Sequence, residues 1–174
     1  MSKIIGEPYS KFKLTVPRWY DHNNFIDFFV KKVSNLSGTV CIDKNLNSKN
    51  FNEVSYKLQP GEKCDVEISP VLAKISNEEV LKDLLKPKSK SLLVGAHGLL
   101  LAGLLKKEKF PLVRQGVSSL DRENNLWKDF SGIYKLPYII RSAPDEFYVG
   151  VYGFRKKLKL GDYIIRFFPE GATA

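Results

Sequence analysis

From Lys11 to Val16 the chain alternates, with Phe12, Leu14 and Val16 set against Lys11, Lys13 and Thr15. A period of two predicts a half-buried strand, which Pro17 ends. Asp21-His22-Asn23-Asn24 offers capping side chains ahead of FIDFFVKKV, where Phe25, Phe28 and Phe29 share one helical face. The pattern predicts a helix over about 24–34, closed by Gly38, and then a β-branched strand over 39–42. Residues 43–52, DKNLNSKNFN, read as a polar surface loop. Val54 to Leu58 and Cys64 to Ile68 flank Gln59-Pro60-Gly61-Glu62, whose Pro and Gly suit a type II turn, so a hairpin is expected there. Ser76-Asn77-Glu78-Glu79 opens a helix with a cap and early acids, and Pro87 ends it.

The most apolar stretch is SLLVGAHGLLLAGLLKK, residues 91–107. No residue from Leu92 to Leu105 is charged, yet the run falls short of the ~20 apolar residues that span a bilayer core. Gly98 and Gly103 have P-loop spacing, but Leu104 and Leu105 follow where Lys and Ser or Thr would be needed, so no phosphate cradle forms. On a helix, Gly95, Gly98 and Ala102 gather on one side and Leu93, Leu100, Leu104 and His97 on the other. A helix apolar on both sides is expected to be buried on both. His97 then reads as a neutral core histidine with one satisfied hydrogen bond, since desolvation disfavours its charged form.

Further on, residues 112–117 suggest a strand, 122–130 a short helix or turn around Trp127, and 133–141 an extended run interrupted by Pro137. FYVGVYGF, RKKLKL, a Gly161-Asp162 turn and YIIRFF together predict a final antiparallel hairpin. With no internal repeat or linker in view, the expectation is one α+β domain over residues 1–174, with residues 1–10 a flexible lead. Its sheet is mixed and mainly antiparallel, packed on a buried central helix at about 91–107 together with smaller helices.

Composition adds a direction. The chain has 28 Lys and Arg against 19 Asp and Glu, a formal net charge of +9. Its long-range field favours anionic partners such as RNA or other nucleic acid, an acidic protein or an acidic membrane surface. Cys41 and Cys64 form neither a disulfide framework nor a CxxC pair and read as free thiols, a single bridge being the alternative. The N-terminus lacks the apolar run of a secretory signal, so a cytoplasmic location is expected.

Sites for chemistry are scarce. His22, His97, Cys41 and Cys64 lack metal-ligand spacing, no Gly-x-Ser-x-Gly elbow occurs, and no cofactor is implied. Candidate nucleic-acid contacts are Tyr148, Tyr152, Arg155, Lys156, Lys157, Lys159 and Arg166, which mix stacking rings with phosphate-seeking cations without the RNP1 order of an RRM. Candidate contacts to an anionic surface are Lys86, Lys88 and Lys90 before the apolar stretch and Lys106, Lys107 and Lys109 after it.

In size, basic charge and the order of an early KFKLTV strand, an aromatic helix, a central apolar helix and late strands, the chain resembles small matrix proteins of negative-strand RNA viruses, particularly plant rhabdoviruses. That resemblance implies a non-enzymatic protein of the host cytoplasm or virion, which self-associates and bridges ribonucleoprotein to an anionic membrane. The chain departs from the pattern in having no Pro-Pro-x-Tyr motif, and Ser142-Ala143-Pro144 lacks a preceding Pro, so no residue role is carried over. A nucleic-acid-binding accessory protein using the C-terminal basic, aromatic segment is the alternative, and a small hydrolase or nuclease with an unrecognised site is the third.

Overall fold

The computed structural model describes residues 4–34, 40–86, 89–144 and 146–172. In chain order its elements are β1 (Ser10–Thr15), α1 (Phe25–Ser34), β2 (Val40–Ile42), β3 (Lys63–Pro70), α2 (Asn77–Leu84), α3 (Gly95–Leu105), β4 (Val113–Ser118), β5 (Trp127–Lys128), β6 (Tyr134–Ala143), β7 (Glu146–Gly153) and β8 (Tyr163–Pro169). One sheet runs β1-β3-β8-β4-β6-β7-β2, with β5 beside β6. Pairing is antiparallel except between β4 and β8 and between β2 and β7. The fold is therefore α+β with a mixed, mainly antiparallel sheet.

Helices α1 and α3 cover one face. Phe25, Ile26, Phe29 and Val33 of α1 and Leu99, Leu100, Leu101 and Ala102 of α3 join Leu14, Val66, Ile68, Ile139, Val149, Ile165 and Phe167 in a single cluster. Phe28, expected with Phe25 and Phe29, is instead exposed and rests against Trp19 at 5.0 Å between ring centroids. The glycines of α3 let its backbone approach the strands. A Cβ at position 98 would lie 3.0 Å from the Phe167 ring, and one at 103 would lie 2.7 Å from Ile139 Cδ1. Helix α3 is shorter than the apolar run that contains it, because Leu92 is extended and donates its N–H to Phe167 O at 2.7 Å.

The opposite face is covered in part by α2, where Val80 and Leu84 pack with Leu136, Phe154, Leu158 and Ile164. Helix α2 starts as the sequence requires, with Ser76 and Glu79 forming a reciprocal capping box. Gly38 and Pro87, expected as helix stops, lie outside the described residues. Ahead of β1, Ile5 is buried and bridges Val71, so this part of the expected loose lead is packed.

Three expectations are corrected. The Pro60-Gly61 turn forms, with Gly61 at φ +85 and Glu62 N–H donating to Gln59 O at 3.0 Å, but residues 54–58 are not a strand. Val54 and Leu58 are buried as plugs, while β3 pairs with β1 and β8. The final hairpin does not form either, because β4 and β6 lie between β7 and β8. Its RKKLKL run is a loop anchored by Leu158, which exchanges two hydrogen bonds with Ile75. Lastly, β6 passes through Pro137 without a break. Tyr134 O accepts from Phe154 N–H, so the odd-numbered residues of β6 address the other side. There Lys135 meets β5 and Ile139 meets β4, and Pro137 falls in the gap between them, where no N–H is required.

Candidate nucleic-acid interface

Along β7 successive side chains alternate between faces, which sends Phe147, Val149 and Val151 into the core and Tyr148, Gly150 and Tyr152 to the opposite face. Strand β6 adds Tyr138, directly across from Gly150. Glycine at this position makes room for a ring. A Cβ at 150 would lie 2.7 Å from Tyr138 ring atoms, and one at Gly116 of β4 would lie 3.2 Å from the same ring. Tyr138 thus lies across the sheet between two glycines, with Tyr148 at 5.7 Å and Tyr152 at 5.8 Å between centroids. The result is a row of three tyrosines.

A cavity of about 290 Å³ opens beside this row, lined by Tyr138, Tyr152, Lys156, Lys157, Lys159 and Asp162. Gly116 and Ser118 of β4 contribute to its floor. The three lysines are exposed, and they come from the loop that replaces the expected hairpin. Two devices fix that loop. Leu158 and Phe154 are buried beneath it. Asn77, fully buried at the start of α2, donates from Nδ2 to Phe154 O at 2.6 Å and Lys156 O at 2.9 Å, and its Oδ1 accepts from the Tyr152 hydroxyl at 3.1 Å. One amide therefore ties the aromatic and cationic halves together. The Gly161-Asp162 turn closes the loop, with Gly161 at φ +91 and Asp162 Oδ2 accepting from Lys159 N–H at 2.8 Å.

Burial holds the phenols of Tyr138 and Tyr152 above the usual tyrosine range, a hydrogen bond with Tyr148 adding to the effect at Tyr138. Both rings are neutral at ordinary pH, and their value lies in stacking and hydrogen bonding. No protein-family model, curated protein or solved structure matches this chain. Its function is therefore read from its own geometry.

Of the nucleic-acid candidates, Tyr148, Tyr152, Lys156, Lys157 and Lys159 come together at this site, and Arg155 is exposed on the same loop. Arg166 does not join them. Its guanidinium donates to Glu67 Oε2 at 2.7 Å and Ser69 Oγ at 3.2 Å, and Glu67 also pairs with Lys11 at 2.8 Å. Sequence reading missed Tyr138, Asn77 and Asp162. The alternation Tyr134, Leu136, Tyr138, Ile140 was the available signal for the first of these.

The lysines around α3 fall into separate groups. Lys86 pairs with Asp83, Lys88 lies outside the described residues, and Lys90 is exposed at φ +50. Lys106, Lys107 and Lys109 follow the far end of a helix about 16 Å long, with Lys106 and Lys109 half-buried.

The chain's two histidines meet at the edge of the core, His97 buried and His22 half-buried, and neither is among the residues lining the cavity. Their rings stack at 3.9 Å and 11°. His97 Nε2–H donates to His22 O at 3.0 Å, His22 Nε2–H donates to Asn52 O at 2.8 Å, and the Tyr20 hydroxyl donates to His22 Nδ1 at 3.2 Å. Burial outweighs these carbonyl contacts and lowers the pKa of both rings, that of His97 to about 3 with His22 adding to the effect, so His97 is neutral as expected. Asp121 is equally interior. It accepts from Ser55 N–H at 2.9 Å, from Ser55 Oγ and from Asn125 Nδ2 at 3.1 Å, and burial raises its carboxyl. Among the described residues no three His, Cys, Asp or Glu side chains gather to hold a metal. Cys41 and Cys64 are both free.

Proposed function

We propose that the chain binds single-stranded nucleic acid, with unpaired bases stacked on Tyr148, Tyr138 and Tyr152 and phosphates met by Lys156, Lys157 and Lys159. The observation that carries this reading is the contiguous tyrosine row with three exposed lysines lining the adjoining cavity. Base stacking on an aromatic ring contributes about 1–3 kcal/mol per base and tolerates any sequence. Paired bases hide their faces, so a duplex gains the lysine term alone.

The test is binding of a fluorescent single-stranded RNA against a duplex of equal length, across a salt series. Affinity for the single strand is expected to fall with salt at a logarithmic slope of about −0.7 for each phosphate neutralised. The triple variant Lys156→Glu, Lys157→Glu, Lys159→Glu is expected to weaken binding at least about tenfold and flatten that slope by about 2. Equal affinity for duplex, or a triple variant that binds as before, overturns the proposal.

A second reading, contact with an anionic membrane surface, draws on a separate observation. Trp19 and Phe28 are exposed and in ring contact, Lys32 Nζ sits 5.8 Å from the Phe28 centroid, and Arg18 is exposed beside them. No described helix is long and apolar enough to cross a membrane, so such contact would be interfacial. Co-sedimentation with vesicles containing acidic lipid, abolished by Trp19→Ala with Phe28→Ala, is the expected result on that reading. Retention of binding by the double variant overturns it.

A further inference from the structure

Resting on the single-strand reading, we infer that Asp162 makes the site selective for an unpaired base that carries an exocyclic amine, cytosine over uracil among the pyrimidines. The lysines and tyrosines of the cavity are indifferent to base identity, since phosphates and π-faces are common to every nucleotide. Asp162 is different. It is the one carboxylate among the described residues lining the cavity. Its Oδ2 is occupied by Lys159 N–H at 2.8 Å, inside the tight turn that Gly161 permits at φ +91. No described group donates to Oδ1, so Asp162 keeps one acceptor for a ligand.

The hydrogen-bond inventory then decides the preference. An ionised carboxylate only accepts. Cytosine presents an N4 amine that donates freely at the corner of its edge, whereas uracil has the O4 carbonyl there and its one donor, N3–H, lies between two carbonyl oxygens that a carboxylate repels. The two bases have the same ring size and sit on the same ribose phosphate, so stacking and lysine contacts change little between them. Aromatic rings alone would leave the site tolerant of sequence, and Asp162 adds a term that depends on the base edge. Asn77 makes that term geometric, because it anchors the loop backbone at Phe154 and Lys156 and the Tyr152 ring from beneath. Tyr152 and Asp162, the latter held by Lys159 N–H, both line a space of about 290 Å³, close to the lower end of the ~300–1,000 Å³ typical of small-molecule sites. That room suits one base at a time.

Fluorescence anisotropy of the full chain with labelled oligo(rC) and oligo(rU) of about 12 nucleotides, at one salt concentration, tests the inference. Oligo(rC) is expected to bind about tenfold more tightly. The informative variant is Asp162→Asn, which can still accept Lys159 N–H through its carbonyl but turns an NH₂ donor toward the ligand. Its preference is expected to reverse in favour of oligo(rU), a change that mere loosening of the loop would not produce. A melting curve matching that of the unsubstituted chain certifies the fold of this variant. The wild-type comparison stands without it. Equal, salt-dependent binding of both oligomers overturns the selectivity and leaves the single-strand reading standing. Failure of both oligomers to bind overturns both readings.

Discussion

Toward α1 and α3 the sheet presents Val66, Ile68, Ile139, Val149, Ile165 and Phe167, all buried in one apolar cluster. Toward the opposite side the intervening positions of the same strands present Glu67, Ser69, Tyr138, Gly150 and Arg166. The first face is held by removal of surface from water, a term that is large, additive and indifferent to direction. On the second face polar side chains are held by directional bonds to particular partners. Glu67, 2% exposed, is met by Lys11 and Arg166, and Tyr152 by Asn77. Directional bonds contribute less net stability but fix where atoms stand, which is what a recognition site requires. The two faces divide the work of folding and of binding.

Substitutions should separate them. Leu99, wholly buried in α3, is expected to cost about 2–5 kcal/mol as Leu99→Ala, measured by urea unfolding, with oligonucleotide affinity unchanged while the chain stays folded. Asn77→Ala is expected to cost about 1–3 kcal/mol, because it strands Phe154 O, Lys156 O and the Tyr152 hydroxyl, and it should also weaken binding severalfold. If Leu99→Ala lowered affinity as much as Asn77→Ala does, the division between the faces would fail.

Mild acid probes the histidines packed on the first face. The folded-state pKa of His97 lies far below its unfolded value, so the unfolded chain binds the extra proton first. His97 therefore contributes its full stability above about pH 6.5 and loses it as pH falls from there toward 3. The expected loss approaches about 1.4 kcal/mol per pH unit well inside that window, with His22, also lowered by burial, adding in the same direction. Unfolding midpoints measured from pH 7 to 5 check this, and in His97→Gln the slope should shrink.

Local signals in the sequence carried much of the fold. Ser76 and Glu79 announce a capping box three residues apart, Pro60-Gly61 announces a turn, and the uncharged run around Leu99 announces burial on both sides. Each needs nothing from beyond its own segment. Pairing between β7 and β8 was misjudged because adjacency along the chain suggested a hairpin, whereas β4 and β6 enter between them from earlier in the chain. The candidate site was half legible for the same reason. Tyr148, Tyr152 and the lysines sit close together in sequence, while Tyr138 arrives on another strand and Asn77 from 75 residues before Tyr152. The stacked histidines, also 75 residues apart, left no periodic trace at all.

Cys41 sits opposite Tyr148 in the β2–β7 pairing and is exposed, while Cys64 is buried with its thiol pushed up to about 12. Thiol reagents act on accessible thiolate, so the two sulfurs differ in kind although both are free. A maleimide dye should couple at Cys41 alone, which puts a natural attachment point for a fluorescent reporter next to the tyrosine row without any engineered residue.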